Sequence, residues 1–158
     1  MYVQILLQHG YRRRVENLQE LPQSKRALLN LLFTGSWITD EITFALKPFD
    51  ISTQQFNVLR ILKGMKGKPS SLQTIQDRMI NKMSNTTRLV DKLIKKGYVE
   101  REQCESNRRK VDITITYQGV KTLSIINTAV DNAEMNITDN LSSEELINLN
   151  LLLNKLRN

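Results

Sequence analysis

Little in this sequence could support a catalytic centre. Its 158 residues hold one cysteine, Cys104, and one histidine, His9. A lone cysteine excludes an intrachain disulfide and a thiolate zinc cluster. A lone histidine closes off most histidine-based metal sites and triads. No glycine-rich phosphate loop is present, and no nucleophile–base pair can be picked out. The sequence therefore predicts no enzyme, no metal ion and no cofactor. Scarce cysteine suits a reducing compartment, which points to the cytoplasm. No apolar run approaches the roughly 18–20 residues that span a bilayer. The opening stretch MYVQILLQHGYRRR is not expected to act as a signal peptide. Its apolar patch is short, and its cations follow the patch instead of preceding it.

What is present is an ordinary globular composition with an uneven charge. Apolar residues make up 40% and charged residues 25%, which suits one domain or one compact two-part unit with a real core. The formal net charge is +7. Between Lys82 and Lys110 nine cations face four anions, whereas from Gly119 to Asn158 three cations face five anions. A basic segment beside an acidic one implies a polyanionic partner for that segment alone.

Periodicity predicts a mainly α chain with a small β element. Residues 1–23 have no clear period and form an extension. Ser24 is placed to cap a helix to about Leu46, with Leu28, Leu31, Leu32, Ile38, Ile42 and Ala45 on one side, stopped by Lys47-Pro48. Ser52-Thr-Gln-Gln55 and Ser70-Ser-Leu-Gln73 read as capping boxes that open two short helices. A third helix is expected over residues 82–97, closed by Gly97. The period then changes: Tyr98–Arg101 and Lys110–Ile115 read as two strands around a cationic tip, Glu105-Ser-Asn-Arg-Arg109. A long helix follows from about Tyr117 to Asp139. Ser142-Ser-Glu-Glu145 opens a last one, whose Leu149, Leu152, Leu153 and Leu156 form a single apolar stripe.

The third helix carries the functional signal. At about 100° per residue, Leu89, Val90, Leu93 and Ile94 gather with Thr86 on one side. Ser84, Arg88, Asp91 and Lys95 fall on the other, with Asn85 and Lys92 along one edge and Thr87 nearer the opposite edge. Short polar groups let a helix approach the DNA major groove closely. Asn and Arg can pair with purine edges, and Lys82, Lys92 and Lys95 can meet phosphates. A solvated basic face would carry the same cations, so the helix alone does not decide. A preceding helix, a tight turn and a following cationic hairpin make the winged helix-turn-helix order, in which Arg108 and Arg109 reach an adjacent minor groove.

In that order the chain resembles the MarR family of winged-helix transcriptional regulators. The resemblance runs from about Leu29 to Leu156 and rests on the spacing of several blocks. These are Ser52–Leu62, Lys82–Leu93, Lys96–Arg101, Asn107–Arg109 and Ile115–Gly119. It implies residues 24–158 as one MarR-type unit, with 24–50 and 117–158 as dimerisation helices and 51–116 as the winged helix-turn-helix. It also implies a cytoplasmic homodimer that binds double-stranded DNA, a repressor in preference to an activator. At the wing the family has Asp-Arg-Arg where this chain has Asn107-Arg-Arg109, so Arg109 is expected to lean on Asp91 as its brace. A candidate pocket for a small aromatic effector contains Phe33, Trp37, Phe44 and Phe56, though ordinary core packing uses the same residues. Cys104, just before the tip, reads as incidental in preference to a redox switch. A dimer follows from physics too. The last helix carries more leucine than a small winged helix can cover, and each buried leucine is worth roughly 1.5–3 kcal/mol. Two copies imply a two-fold operator with half-sites about 10 bp apart. A winged-helix protein–protein module with an acidic partner is the competing reading.

Overall fold

The computed structural model describes residues 21–103 and 111–158. His9, the cations of the opening stretch, Cys104, Asn107, Arg108 and Arg109 fall outside those residues. The chain divides into two compact units, residues to Ile42 and Thr43–Asn158. The described elements are mainly helical with one small sheet, the winged helix-turn-helix class expected from the sequence.

Helix α1 spans Gln23–Leu46. Pro48 cannot donate to a helix, and the chain tightens into a 3-10 turn, Lys47–Phe49. Asp50 closes that turn in the left-handed region at φ 52°, its N–H bonded to the carbonyl of Lys47. Within the first unit Trp37 Nε1 donates to Glu41 Oε1 one turn on, at 3.2 Å. Leu28, Leu32 and Ile38 of the expected apolar side are exposed on the single chain.

The second unit holds a continuous core. Helix α2, Thr53–Gly64, starts at the expected box: the Gln55 N–H bonds Ser52 Oγ, and the Ser52 N–H bonds Gln55 Oε1 at 3.0 Å. Its Phe56, Val58, Leu59 and Leu62 are buried. Helix α3, Leu72–Arg78, departs from the expected start. Its cap is Ser71, which accepts from the Thr74 N–H, and not Ser70. Ser70 instead pairs its N–H and carbonyl with Ile113, forming an isolated bridge. Two adjacent serines could each cap, and the pairing with Ile113 takes one of them.

Helix α4, Thr86–Lys95, starts at the cap Asn85, later than the expected 82. Its Thr86, Val90 and Leu93 are buried and Gly97 closes the turn beyond it at φ 72°. Strands β1, Val99–Gln103, and β2, Val111–Ile115, pair antiparallel from Val99–Ile115 to Gln103–Val111. Helix α5, Tyr117–Thr138, is capped by Thr116, whose hydroxyl also donates to the carbonyl of Gly97 at 2.7 Å. Gly119 lies so near Tyr98 that a Cβ there would stand 2.1 Å from its carbonyl oxygen. Leu123, Ile126 and Val130 of α5 complete the core with Ile75 of α3, Val99 and Ile113. Helix α6, Ser143–Arg157, opens on the Ser142–Glu145 capping box and has no buried residue on the single chain.

Candidate nucleic-acid interface

The approach to α4 is built by one asparagine. The carbonyl of Asn81 accepts from the Ser84 N–H at 3.2 Å, and its Oδ1 accepts from the Met83 N–H at 3.0 Å. That turn competes with helix over 82–84, because an Asn side chain offers the backbone a local alternative. Lys82 and Ser84 therefore lie in the turn between α3 and α4. Asn85 spends its Oδ1 on the Arg88 N–H at 3.1 Å, capping the helix, which leaves its amide N–H groups for a partner.

From Thr86 onward the helical spacing holds. Arg88, Asp91 and Lys95 share the outer side, opposite buried Val90 and Leu93. The turn nonetheless brings Ser84 to the same groove as Arg88. An open groove of about 350 Å³ is lined by Ser84, Asn85, Arg88, Leu89 and Lys92 together with Ser52 and Gln54 at the start of α2. Thr87, Lys82 and Lys95 are exposed outside its lining. Ser52 and Gln54 were not candidates from the sequence. Their capping pattern was legible, but nothing local told that α2 begins beside α4.

Charge on this face is mostly unpaired. Lys82, Arg88, Lys92 and Lys95 form no ion pair among the described residues. Asp91 pairs with Nη2 of Arg101 on β1 at 2.9 Å. Its expected partner Arg109 lies outside the described residues, and Arg101 was not a candidate. Strand alternation is the signal that could have found it: Arg101 stands two residues from buried Val99, on the side that meets α4. At the far end of α4, Lys96 Nζ donates to Asp50 Oδ2. That hydrogen bond, reinforced by the ammonium charge, holds the exposed Asp50 carboxyl below the usual aspartate range.

The candidate pocket residues come from both units and differ in burial. Phe33 and Trp37 belong to the first unit, Phe44 and Phe56 to the second. Phe44 is exposed. Phe56 is buried in the core, with the Arg60 guanidinium 5.6 Å above its ring. A second open groove, about 430 Å³, is lined by Phe49 and by Ser124, Ile125, Thr128, Ala129 and Asn132 of α5. Among the described residues no cluster of His, Cys, Asp or Glu is placed to hold a metal ion. No helix among them is long and apolar enough to cross a membrane.

Comparison with known proteins places the same segment in one group. The model of the MarR family matches residues 51–111. The chain is 36% identical over 135 residues to the HTH-type transcriptional regulator YdgG of Bacillus subtilis, covering 82% of this chain and 86% of that protein. It is 31% identical over 111 residues to the HTH-type transcriptional regulator PecS of Dickeya dadantii, covering 68% of this chain and 65% of PecS, just under two thirds of that protein's length. A MarR variant from E. coli, solved in complex with operator DNA, superposes with a TM-score of 0.71 at 24% identity, covering 80% of this chain and 89% of that one.

Proposed function

The chain belongs to the MarR family of transcriptional regulators, and from that premise we propose that it represses transcription as a cytoplasmic homodimer on a two-fold operator. The observation that carries the reading is the outer side of α4. Ser84, Asn85 and Arg88 present base-pairing groups beside Lys92 in one open groove, and neither cation there is closed into a salt bridge among the described residues. Arg88 and the amide of Asn85 read bases, with Ser84 and Thr87 at or near the base edges. Lys82, Lys92 and Lys95 bind phosphates, and Arg108 and Arg109 serve the wing. Self-association is supported by α6, where Leu152 and Leu156 remain 65% and 59% exposed on the single chain. A second copy is the cover such a stripe needs. The groove between Phe49 and α5 gives a small aromatic effector a seat, and such a ligand releases DNA only if it prefers the non-binding dimer geometry.

The test is selection of duplexes from a randomised pool by the purified full chain, followed by gel-shift titration at several salt concentrations. A palindromic enriched site is expected, with affinity falling by about 0.9 log units per phosphate contact per decade of salt. Failure to bind any duplex, or a flat salt profile, overturns the DNA reading and favours an acidic protein partner.

A further inference from the structure

Ile80 and Met83 are the two most exposed large apolar side chains among the described residues, at 91% and 93%. Met83 is not a loose end. It and Lys82 occupy the two central positions of the Asn81–Ser84 turn. The Asn81 carbonyl holds the Ser84 N–H, and Asn81 Oδ1 holds the N–H of Met83 itself. Gln76 Nε2 on α3 donates to the Lys82 carbonyl at 3.4 Å, tying the turn to the helix before it. The backbone is thus fixed while a cation and a thioether stand side by side in water. The next residue, Ser84, already lines the groove with Asn85, Arg88 and Lys92. Met83 is not itself part of that lining, but it is joined directly to the residue that opens it.

The major groove of DNA displays one apolar group, the C5-methyl of thymine. An unbranched, polarizable methionine side chain suits a contact of that shape. We propose that Met83 packs against a thymine methyl at the edge of each half-site while Lys82 meets the neighbouring phosphate, which makes Met83 a specificity-determining residue. The inference rests on the DNA reading above and adds to it a base preference that no hydrogen bond supplies.

Replacing thymidine by deoxyuridine removes the methyl and keeps every hydrogen-bonding group. The duplex selected from the randomised pool is resynthesised with that replacement at one thymidine at a time, and at the symmetry-related one together with it. For the unaltered protein, one position per half-site is expected to weaken binding about fourfold, the worth of one buried methyl-sized group, and about sixteenfold when both half-sites are altered. Met83→Ala should bind the thymidine and deoxyuridine duplexes equally, while Ile80→Ala keeps the difference. Both side chains are almost fully exposed, so neither change threatens folding. Tight binding by the unaltered protein that is indifferent to every replacement would overturn this inference and leave the DNA reading standing. So would undiminished sensitivity in Met83→Ala. A pool that yields no enriched duplex would overturn both.

Discussion

Asp91 on α4 and Arg101 on β1 are joined by an ion pair of 2.9 Å, so the helix is tied to the root of the hairpin that follows it. Both side chains are partly open to water. Screening therefore limits the pair's contribution to stability, and its use is geometric: it sets the angle between helix and hairpin. In a double-mutant cycle of Asp91→Ala and Arg101→Ala, followed by urea unfolding, we expect a coupling of about 0.2–1 kcal/mol. No measurable coupling would mean that the pair does not hold in solution.

Arg88→Ala should weaken binding to the selected duplex by about 1–3 kcal/mol and relax its sequence preference, because the guanidinium is exposed on the groove and free to pair with a base edge. Lys95→Ala should instead weaken all duplexes alike and lower the salt slope by about one contact. Wild-type binding by the arginine variant would displace α4 from the interface.

Leu152→Glu combined with Leu156→Glu should shift the protein from dimer to monomer in light scattering. Covering a leucine is worth roughly 1.5–3 kcal/mol, and a carboxylate at an apolar seam reverses the sign. The single chain already exposes both residues, so the monomer should keep its helical circular dichroism.

Asp50 links stability to acid. Its carboxyl titrates lower in the folded protein than in the unfolded chain, first through the Lys96 hydrogen bond and then through the lysine charge. A lowered folded-state value adds stability above the unfolded aspartate value, near 4, and that stability is lost as pH falls through the folded value. Glu145 behaves likewise through the Ser142 N–H and hydroxyl. Asp50→Asn should flatten part of the fall in melting temperature as pH drops below the unfolded aspartate value. An unchanged acid profile would exclude the link.

Gly119→Ala should be strongly destabilising, by more than about 2 kcal/mol, because the new methyl collides with the backbone oxygen of Tyr98 and not with a side chain that can turn away. Denaturant unfolding measures it directly. A tolerated alanine would mean that α5 and the base of the hairpin stand further apart than they do here.

Local grammar made much of this fold readable. Both capping boxes, at Ser52 and at Ser142, close within three residues, so the letters that form them are adjacent in the chain. The buried side of α4 was legible for the same reason, since Val90 and Leu93 recur at helical spacing. What escaped was decided at a distance. The choice between Ser70 and Ser71 as cap turns on Ile113, far along the chain. Arg101 reaches Asp91 only once the hairpin folds back, and Ser52 and Gln54 share a groove with Arg88 only through the packing of α2 on α4. The late start of α4 was a contest between two local options, and the Asn81 side chain tipped it toward the turn.

The Thr116 hydroxyl has consequences for where this chain can change length. It accepts from the Gly119 N–H and donates to the Gly97 carbonyl, so the exit from the hairpin and the entry to α5 share one atom. One inserted residue at that joint would swing every side chain of α5 by about 100° and carry Leu123, Ile126 and Val130 out of the core. The bend at Met65–Pro69 is the opposite case, with left-handed Lys66 and Gly67 and open space around the glycine. Insertions and fused tags belong there, and the joint at Thr116 should keep its residue count.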